Sequence, residues 1–202
     1  MHQQDIRICF VGDSYVNGTG DPEYLGWTGR ICAHAHKKGY AITHYNLGVR
    51  RETSEDIKKR WLREVSCRLP KQCNCKVVFS FGTNDTTIEN GKTRVDLTAS
   101  IENTRSILTE AKQLYSILMI SPAPGADREQ NQRTADLSKQ FALVCNQLNV
   151  PYLDVFSMLE KSKIWIDEAK SNDDFHPGAA GYTELAEIIQ TGNVWLNWLD
   201  II

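Results

Sequence analysis

The sequence lacks any long run of apolar residues and any large excess of charge of one sign. Its 202 residues include 23 Lys and Arg against 25 Asp and Glu, for a formal net charge of −2. Because nucleic-acid-binding domains are usually strongly basic, this balance argues against a nucleic-acid partner. The longest apolar runs, such as residues 117–120, are strand-sized and far below the ~18 residues of a membrane-spanning helix.

The first residues also lack a targeting pattern. Residues 1–5 show no basic segment followed by an apolar one, which is the pattern of a secretory signal. Together with the absence of a predicted membrane span, this leads us to expect a soluble cytoplasmic protein.

The six cysteines have spacings that fit neither a metal site nor a disulfide framework. Cys73 and Cys75 lie closer together than a zinc-binding pair and have no second pair. The chain is not short and shows no secretory segment, so disulfides are not expected. Cys9 lies in an apolar run, and Cys32 and Cys145 fall in predicted helices, where cysteine behaves as a small hydrophobe. We expect reduced, mostly buried thiols, no metal and no cofactor.

Signature motifs of other α/β proteins are missing as well. No G-x-G-x-x-G follows the first predicted strand, and Gly91-Lys92-Thr93 is not a P-loop because Thr86 stands where the first glycine is required. No G-x-S-x-G elbow is present, as an α/β-hydrolase-fold esterase would require. A nucleotide-binding domain and an α/β-hydrolase-fold esterase are therefore disfavoured.

Short apolar segments do alternate with amphipathic segments along the chain. Strands are predicted at residues 6–11, 41–47, 76–81, 116–120 and 151–154. Helices are predicted at about 27–38, 53–65, 97–115 and 137–148, and from Pro177 onward. Thr53 and Asp56 have the spacing of a capping box at the start of the second helix. The alternation predicts a three-layer α/β/α sandwich with a five-stranded parallel sheet, in one domain spanning residues 1–202.

Polar and small residues follow the predicted strands, at the edge where parallel α/β sheets bind ligands. Ser14 follows the first strand, Gly48 the second and Asn84 the third. Asp173 and His176 lie in a late loop that can reach the same edge. Each motif alone is equally typical of a turn or a helix cap. Together they provide the groups for acyl transfer through a serine nucleophile.

These positions give the sequence a family resemblance. It resembles the GDSL-type esterases and lipases, also called SGNH hydrolases, over residues 8–182. The resemblance rests on Val11-Gly12-Asp13-Ser14 with Gly20-Asp21 and Gly26-Trp27, Asn46-Leu47-Gly48 with Thr53, Gly82-Thr83-Asn84-Asp85, and Asp173-Asp174-Phe175-His176-Pro177 with Gly181-Tyr182. One block is weak evidence, but four in order are specific. The resemblance implies the flavodoxin-like SGNH hydrolase fold and ester hydrolysis.

The resemblance also implies a catalytic role for each matching residue. Ser14 is the expected nucleophile and His176 the general base. Asp173 is expected to orient the imidazole, because the family's Asp-x-x-His spacing selects it over Asp174. The expected oxyanion hole consists of the Ser14 N–H, the Gly48 N–H and the Asn84 side-chain amide. A small residue at Gly48 would allow the close approach that a backbone donor needs.

Two residues depart from the family pattern. Tyr15 replaces the leucine of the GDSL motif, which we expect to alter the entrance to the site. Arg51 stands where the glycine block often has a second glycine, so the local backbone is expected to differ. Tyr15, Arg51 and Asp13 are the candidate substrate-binding residues. Arg50 and Arg51 are compatible with an acidic substrate group, although a solvated pair at a helix start is the more ordinary interpretation.

The expected function is therefore that of a serine hydrolase acting on small-molecule carboxylic esters, either a short-acyl esterase or a lipase-like enzyme, through an acyl-enzyme. Alternatives on the same site are a carbohydrate O-deacetylase, a thioesterase or a lysophospholipase, and more remotely a non-catalytic ligand-binding module. The apolar segment with Trp195 and Trp198 is expected to pack in the core rather than face lipid or a second subunit. A homodimer is retained as an expectation.

Overall fold

Five parallel strands form the central sheet of the computed structural model, which describes residues 5–199. The strands in chain order are β1 (Ile6–Gly12), β2 (Ile42–Gly48), β3 (Asn74–Ser80), β4 (Ile88–Glu89), β5 (Lys92–Thr93), β6 (Ser116–Ile120) and β7 (Tyr152–Leu153). The sheet has the order β2-β1-β3-β6-β7, and β4 and β5 form a separate antiparallel hairpin. Counting only the strands of the sheet, this is the 2-1-3-4-5 order of flavodoxin-like folds. The predicted fold class is confirmed.

Helices cover both faces of the sheet. They are α1 (Ser14–Asn17), α2 (Gly26–Lys37), α3 (Ser54–Ser66), α4 (Leu97–Leu114), α5 (Arg128–Leu148), α6 (Phe156–Leu159), α7 (Lys163–Asn172), α8 (Ala179–Thr191) and α9 (Asn193–Trp198). A short 3₁₀ helix, Asn84–Thr86, follows β3. Within residues 5–199, no helix is both long enough and apolar enough to cross a membrane.

The core is divided by the sheet into two apolar clusters. Along β1, Ile8 and Phe10 belong to one cluster, whereas Cys9 and Val11 belong to the other. This alternation follows from the two-residue period of a strand that is covered on both faces. The first cluster contains Trp195 and Trp198, which confirms the predicted core packing of the C-terminal segment. The thiols of Cys9, Cys32 and Cys145 are free and buried, as expected.

The element boundaries differ from the sequence prediction at a few places. The capping box of Thr53 and Asp56 forms as predicted. The last long helix, however, begins at Ala179 rather than at Pro177, with Gly178 as its N-cap residue. The carboxylate of Glu168 accepts hydrogen bonds from the Gly178 N–H (2.9 Å) and the Gly181 N–H (2.7 Å). A side chain from α7 thus satisfies the helix start, and Pro177 stays in the preceding loop.

The end of β1 is positioned by a close backbone contact. A Cβ atom on Gly12 would lie 1.9 Å from the carbonyl oxygen of Ser80 on β3. Only glycine allows the two strands to approach this closely. The chain then turns directly from β1 into α1, which begins at Ser14 at the carboxyl edge of the sheet.

Candidate active site

Ser14 lies at the first turn after β1, where its backbone is fixed by the preceding residue. Asp13 is the N-cap of α1, and its Oδ1 accepts a hydrogen bond from the Tyr15 N–H (3.0 Å). Ser14 itself is buried, and its Oγ lies 2.7 Å from Nε2 of His176. A hydroxyl at this distance can donate its hydrogen to the imidazole.

The loop 173–176 holds the imidazole on its other side. Nδ1 of His176 lies 2.7 Å from Oδ2 of Asp173. Oδ1 of Asp173 accepts hydrogen bonds from the Phe175 N–H (3.1 Å) and the His176 N–H (2.9 Å). The neighbouring Asp174 has φ +65°, and its carbonyl oxygen accepts from the Ala126 N–H. The structure therefore brings Ser14, His176 and Asp173 together in one chain of hydrogen bonds.

The surroundings shift both titratable groups of this chain. Burial lowers the pKa of His176, and the Asp173 carboxylate only partly opposes that effect. Burial acts to raise the pKa of Asp173, but hydrogen bonds from the His176 N–H and imidazole outweigh it and hold the pKa below its ordinary value. The imidazole is therefore neutral and the carboxylate ionised near neutral pH. This is the combination that a general base and its orienting group need.

Tyr15 lies beneath the histidine and does not face the cleft with its hydroxyl. The hydroxyl donates to the Phe175 carbonyl oxygen (2.9 Å), and the Pro124 carbonyl oxygen is 3.3 Å away. Its ring stacks on Trp165 and lies 5.2 Å, centroid to centroid, from the His176 ring. The polar end of Tyr15 thus holds the loop that carries His176, while the residue also lines the cleft. Its substrate-binding role stays a prediction.

Asp13 is also buried rather than directed toward substrate. Its Oδ2 has no hydrogen-bond partner among residues 5–199. Burial raises the pKa of Asp13 to about 7, and the charges of Asp85 and Glu52 act in the same direction. The side chain is enclosed at the start of α1, where it caps the helix. Its substrate-binding role stays a prediction.

The N–H of Gly48, a predicted oxyanion donor, has a partner within the protein. Its N–H donates to Oδ1 of Asn46 (2.9 Å), so this donor is already used. A Cβ atom on Gly48 would lie 2.1 Å from the backbone nitrogen of Asn17. Glycine is therefore required here so that β2 can approach α1. The oxyanion role of Gly48 stays a prediction, and the bond to Asn46 argues against it.

Asn84 and Arg51 lie on the other side of the cleft. One hydrogen of the Asn84 Nδ2 group donates to the carbonyl oxygen of Glu52 (2.9 Å), which leaves a second hydrogen available. Arg51 has φ +70°, in the left-handed region that favours glycine. Its backbone N–H has no hydrogen-bond partner within the described residues. The sequence analysis did not predict a role for this N–H. The signal that could have indicated it is that Arg51 stands where the family often has a second glycine.

These groups share one open cleft of about 540 Å³ at the carboxyl edge of the sheet. Its lining includes Ser14 and His176, the oxyanion candidates Arg51 and Asn84, and Phe175. Within residues 5–199, no group of three or more His, Cys, Asp or Glu side chains is placed to hold a metal ion. The arrangement can therefore activate a hydroxyl beside two or three neutral hydrogen-bond donors.

The fold and this hydrogen-bonded chain define a hydrolase with a serine at the end of the first strand of a flavodoxin-like sheet. Residues 10–183 match the model of the GDSL-like lipase/acylhydrolase family. This match spans most of the chain, so the protein belongs to that family, as predicted from its motifs. A search of curated proteins found no match.

Solved structures of this family have the same fold. A lipase/acylhydrolase from Enterococcus faecalis is 23% identical, with a TM-score of 0.74 over 91% of this chain and 93% of that chain. An acetylxylan esterase from Geobacillus stearothermophilus is 18% identical, with a TM-score of 0.76 over 98% and 96% of the two chains. A catalytic mutant of that esterase, also 18% identical, has a TM-score of 0.78 over 95% of each chain. At these identities the comparison shows a shared fold.

Proposed function

We propose that this protein hydrolyses small-molecule carboxylic esters through an acyl-enzyme formed on Ser14. The observation that carries the proposal is the pair of 2.7 Å contacts from Ser14 Oγ to His176 Nε2 and from His176 Nδ1 to Asp173 Oδ2. Membership of an acylhydrolase family supports the same reaction class.

In the first half of the proposed reaction, Ser14 Oγ attacks the ester carbonyl carbon as its proton moves to His176 Nε2. Asp173 stabilises the imidazolium that forms. The new C–O bond produces a tetrahedral oxyanion. The bond to the leaving alcohol then breaks, and His176 returns the proton to the alkoxide, which leaves an ester on Ser14.

The second half repeats these steps with water. His176 removes a proton from a water molecule, whose oxygen attacks the acyl carbon, and the Ser14 Oγ leaves and regains a proton from His176. The same tetrahedral geometry forms, so the same oxyanion donors serve both halves.

For the oxyanion hole we propose the Ser14 N–H, the Asn84 side-chain amide and the Arg51 N–H. The first two follow the family resemblance, whereas Arg51 replaces Gly48 because the Gly48 N–H is already bonded to Asn46. Neutral donors that are fixed before the reaction stabilise the developing charge without having to reorganise. The left-handed backbone at Arg51 supports this role, since strained backbone conformations are often found at active sites.

The acyl group is proposed to be short, as in an acetyl ester. The same steps would remove an acetyl group from a carbohydrate, and the acetylxylan esterase with the same fold makes acetylated sugars a specific alternative to test. A cytoplasmic location, a homodimer and a single domain spanning residues 1–202 stay predictions.

Hydrolysis of p-nitrophenyl acetate by the wild type and by Ser14→Ala tests the proposal. We expect the substitution to lower kcat by at least about 10⁴-fold, because removing a triad nucleophile leaves only the residual contribution of the oxyanion hole. Ser66→Ala is the matched control, because Ser66 is exposed at the end of α3. An organophosphonate should label Ser14 in the wild type. Near-wild-type hydrolysis by Ser14→Ala would overturn the proposal.

A further inference from the structure

Arginine side chains surround the entrance to the cleft. Arg50, Arg51 and Arg94 line it, whereas its acidic lining residues are Glu89 and Asp173. Asp173 is already engaged with His176. Although the whole chain has a net charge of −2, the cleft has more positive than negative groups. We call Arg50, Arg51, Arg94 and Glu89 the arginine rim.

Two of these arginines share a single carboxylate. Nη2 of Arg51 lies 3.1 Å from Glu89 Oε1, and Nε of Arg94 lies 3.5 Å from the same oxygen. Nη1 of Arg94 also donates to the Arg51 carbonyl oxygen (2.8 Å), and the Arg94 side chain is only 18% exposed. Arg94 therefore holds the backbone at Arg51, while the Arg51 side chain is 74% exposed and has N–H groups left for a ligand.

Arg50 approaches the catalytic chain itself. Its Nη2 lies 3.4 Å from Asp173 Oδ2, the oxygen that also contacts His176, and its side chain is 62% exposed. A positive charge here opposes formation of the imidazolium on which the reaction depends. A negative group of the substrate beside Arg50 would offset this repulsion when the imidazolium forms.

We infer that Arg50 and Arg51 bind a carboxylate or phosphate group of the substrate, so that the preferred substrate is an ester with a negative charge near the scissile bond. This inference rests on the proposed esterase function and specifies its substrate class. Guanidinium groups suit this role because they remain charged and donate several hydrogen bonds to one oxyanion. The exposed Arg51–Glu89 pair contributes little to stability, so the Arg51 side chain can be substituted without unfolding the protein.

Two sets of matched esters test the inference, the first with a common leaving group and the second with a common acyl group. One pair places the charge in the acyl part: mono-4-nitrophenyl adipate against its neutral methyl ester. A second set places it in the alcohol part: 4-acetoxybenzoate and 4-acetoxyphenyl phosphate against methyl 4-acetoxybenzoate. The readout is the ratio of kcat/KM for the anionic ester to that for its neutral partner.

We expect the wild type to favour the anionic member of at least one set, and Arg51→Gln to lower that ratio about tenfold, as expected for the loss of one charge-assisted hydrogen bond. Arg50→Gln should lower the same ratio, and about 0.5 M NaCl should reduce the wild-type ratio because it screens exposed charges. Arg63→Gln, an exposed site near the end of α3, should leave the ratio unchanged. A substitution that changes the hydrolysis of all esters by the same factor leaves this ratio unchanged.

The outcomes separate the two claims. If all the esters are hydrolysed with Ser14 dependence but the ratio is the same in the wild type, Arg50→Gln and Arg51→Gln, the inference is overturned and the proposed function stands. If no ester is hydrolysed, both are overturned. A preference for the carboxylate in one arm only, lost in both variants, supports the inference and locates the charge in the acyl or the alcohol part.

Discussion

The two sides of the cleft are built differently. On one side, Ser14, His176 and Asp173 are joined by 2.7 Å contacts, and Tyr15 holds the loop from below. On the other side, Arg50 and Arg51 have exposed guanidinium groups, and Arg51 shares the carboxylate of Glu89 with the mostly buried Arg94. These contacts hold the side chains of the first side in place, whereas the exposed guanidinium groups of the second side have N–H donors left for a ligand.

This difference matches what each side has to do. Proton transfer and nucleophilic attack require atoms that are positioned before the substrate arrives, because small displacements are costly in rate. Recognition of a charged group tolerates mobile side chains, since water and ligand can exchange at exposed guanidinium groups. We therefore propose that proton transfer and nucleophilic attack belong to the buried side, and recognition of the charged group to the exposed guanidinium groups.

Among the variants that compare the two sides of the cleft, the largest effect is expected for Asn84, a proposed oxyanion donor. Asn84→Ala removes a side-chain donor from the proposed oxyanion hole, and the loss of one such donor typically lowers kcat about 10²–10³-fold. Anionic and neutral esters should lose activity equally, because the oxyanion forms in both. The measurement is kcat for both members of an ester pair.

Asn146→Ala is the control for this variant, because Asn146 is exposed near the end of α5. Activity of Asn84→Ala close to that of the wild type would remove Asn84 from the oxyanion hole. A loss confined to anionic esters would show that Asn84 recognises the negative group of the substrate and does not stabilise the oxyanion.

A smaller effect concerns the stability cost of the buried side. Burial raises the pKa of Asp13 from an ordinary 3.8 to about 7, so the folded state binds this proton more tightly than the unfolded state. The contribution of Asp13 to the free energy of unfolding should therefore fall as the pH rises from about 4 to about 7. Asp13→Asn keeps a capping oxygen and does not titrate in this range. Relative to the wild type, this variant should gain about 2 kcal/mol between pH 5 and pH 8.

Urea denaturation of both proteins at the two pH values measures this difference. Asp96→Asn is the matched control, since Asp96 is the N-cap of α4 but is exposed, and it shows what the same substitution does at an exposed helix start. A pH-independent difference for Asp13→Asn would show that Asp13 is ionised in the folded protein at both pH values.

The smallest expected effect connects the two sides. Burial is the main cause of the lowered pKa of His176, and the charge of Arg50 adds to it. Arg50→Gln should therefore raise the pKa of His176 and move the acidic limb of the kcat/KM profile for a neutral ester to higher pH. Arg51→Gln is the control, because Arg51 is not among the groups that shift the pKa of His176. An acidic limb that stays in place or moves to lower pH would show that the charge of Arg50 does not lower the pKa of His176.

Much of the fold could be predicted from local patterns. Apolar runs of strand length, the helical stripes between them and the capping box at Thr53 depend on residues close in sequence. The structure has them within a few positions, except that α5 begins at Arg128, nine residues before the predicted start at 137. Because parallel strands place their carboxyl ends at one edge, the order of Ser14, Asn84 and the Asp173-to-His176 loop along the chain was enough to predict a shared site. The β4–β5 hairpin was not predicted, because strands of two residues leave no periodic signal.

The flavodoxin-like sheet and the residues that meet at its edge could therefore be predicted from the sequence. The hydrogen-bond partners of several of those residues are seen only in the three-dimensional structure. The Gly48 N–H is used by Asn46, the Tyr15 hydroxyl by the Phe175 carbonyl, and the start of α8 by Glu168. A hydrogen-bond partner distant in sequence, or a left-handed backbone at an arginine, is imposed by packing. A pattern along the chain records which donors and acceptors exist, and the fold decides which of them remain free for a substrate.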